Sequence, residues 1–272
     1  DWSSDVCSSD LVVGSTLSAG SGAAGGNVTL VAKDDIVIAE AREVHDESHE
    51  ARSRRSGFLS RKSSYDAVST HEDIGVGSLV SGDTVTAVAG NDLLIRQSAV
   101  TAIDAVNLTA TRGDVLITAG ENTRESTEAH ERSASGVSFS AGKGGIGMSA
   151  GSSNAKSNSH TVAVTRSDAR STVGATNGNV TIVAGKDVAI AGSDLIAGRV
   201  GDSKVAGNIA IQAENITVTT GIDSVVQDSS RSSRSTNFGV HLVGTPLDTI
   251  RNLQANNQSD STVTRSEEHT SE

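Results

Sequence analysis

The fold follows from one stretch that the chain repeats, Asn179-Val180-Thr181-Ile182-Val183-Ala184-Gly185-Lys186-Asp187-Val188. Apolar residues alternate along its first part, and period two is the spacing of a β-strand. Gly185, Lys186 and Asp187 then form a group of turn residues. A second short apolar run follows at Val188. The stretch therefore predicts a strand, a turn and another strand.

Three other segments fit this template, at 27–36, 84–93 and 106–115, and a looser copy lies at 208–216. Self-similarity at a spacing of roughly twenty residues indicates a stacked solenoid. One repeat cannot bury its inner face alone, whereas repeats stacked at about 4.8 Å can. We therefore predict an all-β chain that folds as a right-handed parallel β-helix, with small inward residues such as Ala184 in a narrow interior.

A longer period lies above the short one. Val13-Gly14-Ser15, Val76-Gly77-Ser78 and Val173-Gly174-Ala175 each precede a coil block, and we predict blocks over about 12–40, 76–119 and 173–220. After each block the chain becomes rich in serine, glycine and charge. These intervals, at about 41–75, 120–172 and 221–264, predict β excursions that project from the shaft or stack along it. The alternative is a disordered serine-rich linker.

The two ends of the chain resemble a translated oligonucleotide. Ser4–Leu11 and Arg265–Glu272 can be encoded by opposite strands of one adapter sequence, read one base apart. We therefore expect 1–11 and 265–272 to be adapter-derived, and 12–264 to be the repeat array. The alternative is two unrelated natural tails.

Composition excludes several classes of function. The chain has 33 acidic and 22 basic residues, and this balance argues against nucleic-acid binding, which needs a basic face. No apolar run approaches the ~18 residues of a membrane helix. We predict no cofactor and no metal site.

The turn of the template carries the candidate site residues. An aspartate fills it in four repeats, and we predict a structural turn role for Asp35, Asp92, Asp114 and Asp187. One of these turns reads Arg112-Gly113-Asp114, an integrin-type recognition triplet. The equivalent turns lack the triplet, so we interpret it as turn chemistry, with adhesion as the alternative.

Other motifs also have structural interpretations. Four glycosylation sequons follow from the template itself, at Asn27, Asn107, Asn179 and Asn215. His45 and His49 are spaced as in a zinc-protease helix, but a third ligand and a helix are lacking. Gly142–Gly147 lacks the spacing of a phosphate-binding loop. We found no paired-carboxylate constellation, so we predict that the chain is not an enzyme.

The template and its intervals together resemble a known family. Gly178-Asn179-Val180-Thr181 through Val188, with intervals closing on Arg55-Ser56-Gly57-Phe58 or Ser135-Gly136-Val137, resembles the haemagglutinin repeats of filamentous-haemagglutinin-type exoproteins. The resemblance covers nearly all of 12–264. It implies a secreted or surface-displayed filament, exported by an outer-membrane two-partner secretion transporter. The family includes adhesins and contact-dependent growth inhibition effectors, so a target-cell or host receptor is implied as partner.

These inferences lead to one functional hypothesis and two alternatives. We expect a non-enzymatic, monomeric β-helical shaft segment that supports cell contact, adhesion or delivery of a C-terminal toxin. The first alternative is an adhesin segment that itself binds a glycan or host receptor. The second is a β-helix enzyme that cleaves polysaccharides.

Overall fold

The described chain is built entirely from β-strands. The computed structural model describes residues 2–3, 8–20, 25–142, 145–200, 203–204, 207–242 and 254–267, and it describes side chains over 8–20, 25–140, 146–198 and 207–241. The strands are, in chain order, β1 Trp2–Ser3, β2 Asp10–Val13, β3 Thr16–Ser18, β4 Asn27–Ala32, β5 Ile36–Ala39, β6 Ala41–Ser56, β7 Ser60–Val76, β8 Leu79–Ala89, β9 Leu93–Arg96, β10 Ala99–Ala110, β11 Val115–Thr118, β12 Asn122–Gly142, β13 Gly145–Thr165, β14 Thr172–Ala175, β15 Asn179–Ala184, β16 Asp187–Ala191, β17 Asp194–Ala197, β18 Arg199–Val200, β19 Ser203–Lys204, β20 Ile209–Gln212, β21 Asn215–Thr219, β22 Ser224–Leu242 and β23 Gln254–Glu267. No helix in these ranges is long and apolar enough to cross a membrane.

Two parallel sheets form one half of the molecule. Sheet A has nine strands, along the order β1-β4-β8-β10-β14-β17 with β3, β15 and β20 attached, and sheet B has the order β2-β5-β9-β11-β16-β21. Each strand lies beside its counterpart in the next repeat, so that Val106 is opposite both Val85 and Val180. Five repeats result, at 16–39, 79–96, 99–118, 172–191 and 194–219, and we call them repeats 1 to 5 and together the parallel stack. β1 and β2 are part of a preceding repeat, because they lie opposite β4 and β5. The all-β prediction is confirmed, and these sheets are parallel.

The core lies between sheets A and B. In repeats 1 to 4, the side chains that the alternation predicts to point inward are buried, and those between them are only partly covered, as in Val180, Thr181 and Ile182. The corresponding residues of repeat 5, Ile216 and Val218, are exposed at the end of the described stack. Equivalent core residues lie directly above one another along the stack. One such row is Val28, Val85, Val106 and Val180, all fully buried. Each buried side chain of this size contributes roughly 1.5–3 kcal/mol of hydrophobic stabilisation.

The serine-rich intervals form the other half of the molecule. β6–β7, β12–β13 and β22–β23 are three long antiparallel hairpins, and they lie side by side in one six-stranded sheet, which we call the hairpin sheet. The side chains of β6 are almost all exposed. An alternation of apolar and polar residues is therefore not required there, and hydrogen bonds between hairpins replace a core.

The spacing of the hairpins matches the spacing of the stack. Two repeats separate the first hairpin from the second, and two more separate the second from the third. Two repeats advance the stack by about 9.6 Å, which is the width of the two strands of one hairpin. Each hairpin therefore emerges beside its neighbour, and β7 can pair with β12, and β13 with β22, without a shift along the stack.

Candidate functional site

The aspartate turns lie in one column along the parallel stack, at the turn between sheets A and B. The carboxylates of the first three aspartates each accept a hydrogen bond from the backbone N–H of the next aspartate. The Oδ1 atoms of Asp35, Asp92 and Asp114 lie 3.1, 2.9 and 3.0 Å from the nitrogens of Asp92, Asp114 and Asp187, respectively. The column therefore joins the turns of repeats 1 to 4.

Amide side chains also bind the two ends of this aspartate column. Asn91 Nδ2 donates to Asp35 Oδ1 at 3.1 Å, and Asn215 Nδ2 donates to Asp187 Oδ1 at 2.7 Å. Stacked carboxylates about 4.8 Å apart repel one another. Hydrogen bonds to the charged form offset this repulsion, because such bonds are about twice as strong as neutral ones.

The recognition triplet lies inside this column. Asp114 uses Oδ1 for Asp187, and Arg112 contacts the Lys33 carbonyl through Nη2 at 3.4 Å. Gly113 is buried, and a side chain there would meet the Asn91 carbonyl oxygen at 2.7 Å. The three residues are therefore part of a packed turn rather than a projecting loop.

A second column of polar residues lies at the other corner of the repeats, and sequence reasoning missed it. Three buried serines directly precede repeats 2, 3 and 4; they are Ser78, Ser98 and Ser171. The Ser78 N–H donates to Ser98 Oγ at 3.0 Å, and the Ser98 N–H donates to Ser171 Oγ at 3.3 Å. The hydroxyls of Ser78 and Ser171 donate in turn to the carbonyl oxygens of Ala39 and Thr118, both at 2.7 Å.

The serine column corrects one predicted equivalence. Val173-Gly174-Ala175 was matched with Val76-Gly77-Ser78, but Gly174 lies inside β14, opposite Thr101. The true counterpart of Ser78 is Ser171, because Leu79 and Thr172 both lie opposite Ala99. The signal in the sequence was a serine directly before each first strand of a repeat.

Gln97 joins the hairpins to the parallel stack. Its Nε2 donates to the Gly75 carbonyl at 2.9 Å and to Asn122 Oδ1 at 3.1 Å, and the latter also accepts from the Gly75 N–H. Gln97 is buried and adopts a φ of 45°, which is uncommon outside glycine. It thus fixes the end of the first hairpin and the start of the second.

Histidine–aspartate pairs occupy the part of the hairpin sheet near the stack. His71 Nδ1 lies 2.6 Å from Asp46 Oδ1, and His130 Nδ1 lies 2.8 Å from Asp66 Oδ1. The hydrogen bond to Asp46 raises the pKa of His71 above its ordinary value. At the base of the third hairpin, the Ser167 hydroxyl and the backbone N–H groups of Arg166 and Ser167 lower the pKa of Asp223.

The structure does not assemble His45 and His49 into a zinc-protease arrangement. Both lie on the strand β6, where four residues span about 13 Å, whereas a helix would bring them within one turn. His45 faces Glu43 at 3.5 Å. Across the described part of the chain, no three His, Cys, Asp or Glu side chains form a group that could hold a metal ion.

Three of the four sequon asparagines begin a strand, as the template predicts. They are Asn27, Asn179 and Asn215. Asn179 Oδ1 accepts from the Asn208 N–H at 2.8 Å, so this side chain is part of the stack. Asn107 differs, because it lies within β10, opposite Thr86 and Thr181. Of the glycine-rich stretch, Gly142 pairs with Gly145, and Lys143 and Gly144 lie outside the described residues.

Comparison with known proteins places these features in a family. The hemagglutinin repeat family matches residues 59–220. The tRNA nuclease CdiA of Escherichia coli strain STEC_O31 is 33% identical over 87% of this chain, and the 16S rRNA endonuclease CdiA of Enterobacter cloacae is 32% identical over 86%. The tRNA nuclease CdiA-2 of Burkholderia pseudomallei is 31% identical over 91% of the chain.

The chain spans only 7% of the length of each of these three relatives. The nuclease activities in their names are therefore properties of much longer proteins. The matched family is instead defined by the repeat that builds the stack and its hairpins. The chain belongs to the hemagglutinin-repeat family of filamentous-haemagglutinin-type exoproteins, which are secreted and displayed at the bacterial cell surface.

Proposed function

We propose that the chain is a shaft segment of a contact-dependent growth inhibition exoprotein, and that its five repeats form a right-handed parallel β-helix. The observation that carries the proposal is the register of the stack. Strands of successive repeats pair side by side, and pairing resumes in the same register after the first and second hairpins, as between Val115 and Val188. Such a stack can be extended by any number of repeats.

The proposed shaft holds its length through three kinds of contact along its axis. Backbone hydrogen bonds link each repeat to the next, apolar rows fill the interior, and the aspartate and serine columns hold two of the corners. Five repeats extend about 24 Å at 4.8 Å each. The hairpin sheet adds a wall along the shaft, because hairpins that leave after every second repeat can pair without strain.

The shaft acts without catalysis in this proposal. In this proposal, the nuclease activities named for the relatives belong to parts of those proteins outside the region that this chain resembles. The partners are an outer-membrane transporter of the two-partner type during export and a target-cell receptor afterwards, and the filament is monomeric. The aspartate column has a structural role, which its occupied carboxylate oxygens support.

In-frame deletions in the full-length exoprotein test the shaft function. Deleting 99–193 removes repeats 3 and 4 with the second hairpin, and it joins Ser98 to Asp194, which has the register position of Ala99. We expect the exoprotein to remain displayed and active against target cells. Deleting 79–98 removes repeat 2 alone and displaces the first hairpin from the second by one strand width, so we expect the β7–β12 pairing to be lost.

Two results would contradict the proposal. One is loss of target-cell inhibition after deletion of 99–193 although surface display is unchanged, which would assign a direct activity to the segment. The other is release of products from acidic polysaccharides by the purified chain, which would establish the enzyme alternative. The adhesin alternative is favoured by a cavity in the hairpin sheet whose lining includes Arg55, Lys62 and Arg132.

A further inference from the structure

The middle of the hairpin sheet contains a cavity of about 660 Å³. Five adjacent strands, from β6 to β22, contribute to its lining. Four of the lining residues are cationic, and the described lining contains no carboxylate; the cationic residues are Arg55, Lys62, Arg132 and Arg234. The remaining lining residues are serine, alanine and asparagine. The volume falls within the range of about 300–1,000 Å³ that is usual for small-molecule sites.

The strand register places three of these cations on one face of the sheet. Arg55 lies directly opposite Lys62, and directly opposite residues share a face. Lys62 lies opposite Ala134, and Arg132 is two residues before Ala134 on the same strand, so it shares that face. We call Arg55, Lys62 and Arg132 the cation trio.

Two neighbouring arginines, Arg54 and Arg234, lie on the opposite face of the sheet. Arg54 and Arg234 are each one residue from a position on the trio face, since Arg234 precedes Ser235, which lies opposite Ser153. Alternate residues of a strand point to opposite faces. Arg54 therefore carries the same charge as Arg55 on the same strand, but it lies on the opposite face.

The cation trio has no acidic partner among the described side chains. The described ion pairs near it use different cations, such as Arg52 with Glu50 and Lys156 with Glu131. Asp260 lies on β23, opposite Ser233. That position is three strands from β12, or about 14 Å away. Asp66 shares the trio face, two residues beyond Ser64, but its carboxylate is held by His130 Nδ1 at 2.8 Å. A bound anion would therefore relieve the mutual repulsion within the trio.

The rest of the cavity favours a saccharide as the carrier of the anion. Ser64, Ser153 and Ser235 lie on the trio face and offer hydroxyls that can donate or accept. No aromatic residue is among the described lining residues, so the stacking that binds single-stranded nucleic acids is lacking there. Phe139, an exposed apolar residue near the tip, is an odd number of residues from Arg132 and faces the other way.

We propose that this cavity binds a phosphorylated saccharide. The guanidinium groups of Arg55 and Arg132 can each hold a phosphate through two parallel hydrogen bonds, and Lys62 supplies a point charge between them. The serine hydroxyls contact the hydroxyl groups of the sugar. This site goes beyond the proposed shaft function, and it does not depend on how the parallel stack is wound.

Calorimetry on the full chain tests the site with a phosphomannan oligosaccharide as probe. The comparison ligands are the same oligosaccharide after phosphatase treatment, a sulfated dextran oligosaccharide, inorganic phosphate and single-stranded DNA. We expect phosphomannan to bind, and phosphatase treatment to weaken binding at least tenfold. Lys62→Gln and Arg132→Gln should each weaken it by roughly tenfold, the loss typical of one charge-assisted contact. The matched control Arg54→Gln should stay within about twofold of the wild type.

Several outcomes would overturn the proposal. If phosphomannan does not bind, or binds equally well after phosphatase treatment, the phosphate is not the group that the cavity recognises. Equal or tighter binding of sulfated dextran, inorganic phosphate or DNA would assign the cavity to another class of anion. Equal losses of affinity in Arg54→Gln and Lys62→Gln would show that binding depends on the overall charge of the sheet and not on the trio face. Circular dichroism of each variant checks that the sheet is intact. Similar losses of affinity in Lys62→Gln and Arg132→Gln show that the effect does not come from the misfolding of one variant.

Discussion

Replacing Leu108 with alanine tests whether the parallel stack has a continuous core. Leu108 is 0% exposed in repeat 3, and its register neighbours are Ala87 in repeat 2 and Ile182 in repeat 4. Large-to-small substitutions at such sites cost about 2–5 kcal/mol of unfolding free energy. Because backbone ladders hold both neighbouring repeats in place, the cavity cannot collapse, and we expect about 3–5 kcal/mol. Val218→Ala is the control, since Val218 is 69% exposed in repeat 5 and should cost under about 1 kcal/mol.

Urea unfolding followed by circular dichroism measures both variants of this pair. The Leu108→Ala midpoint should fall well below that of Val218→Ala at a similar slope, because the surface exposed on unfolding changes little. In Leu108→Ala, the loss of protection from hydrogen exchange should extend over repeats 2 to 4. Equal midpoints for the two variants would refute the inward placement of Leu108.

Three further predictions concern the polar columns and the hairpin sheet. Ser171→Ala should lower the unfolding free energy by about 1–3 kcal/mol, since it leaves the buried Ser98 N–H without its acceptor. Ser171→Thr is the control, because it keeps a hydroxyl. An unchanged urea midpoint for Ser171→Ala would contradict the serine column. Asp114→Ala should destabilise more than Asp114→Asn, because asparagine keeps an oxygen for the Asp187 N–H, and equal losses in urea midpoints would contradict the aspartate column. In Asp46→Asn, the pKa of His71 measured by NMR titration should fall. Because the folded-state pKa of His71 is raised in the wild type, the stability that the pair contributes is complete below the unfolded-state pKa and is lost as pH rises through the folded-state pKa. An unchanged His71 pKa in Asp46→Asn would disprove the pairing.

The core was predictable from the sequence because its pattern is local. Val180, Ile182 and Ala184 alternate with partly exposed residues, and among the regular structures only the β-strand has this period of two. Self-similarity then identified which segments stack, and burial places the equivalent residues in common rows. The aspartates at the turns could be found in the same way, because the template aligns them.

The joints between repeats could not be found in this way. The serine column depends on contacts between residues such as Ser98 and Ser171, which long hairpins separate in sequence. Serine is also common throughout the intervals, so a buried serine does not stand out. The same problem misled the match of Gly174 with Gly77, because a short Val-Gly pattern recurs by chance inside a strand. Gln97 is missed because its partners come from two different hairpins.

The hairpin sheet was only partly predictable, because both of its faces are exposed. A sheet without a core leaves no apolar alternation to set the register. The pairing of Gly136 with Ser60 and Gly151 follows instead from where the hairpins leave the stack. The cation trio likewise becomes visible only when three strands are placed side by side.

Cysteine cross-linking across the second hairpin tests whether repeats 3 and 4 pair in the register of the parallel stack. Asn107 of repeat 3 lies opposite Thr181 of repeat 4, although the whole hairpin β12–β13 lies between them in sequence. In a Cys7→Ser background, Asn107→Cys with Thr181→Cys should form a disulfide on mild oxidation, because strand neighbours lie about 4.8 Å apart, within the usual Cα range. Asn107→Cys with Val183→Cys, shifted by two residues, should remain reduced. A disulfide in the shifted pair, or none in the matched pair, would contradict the stack.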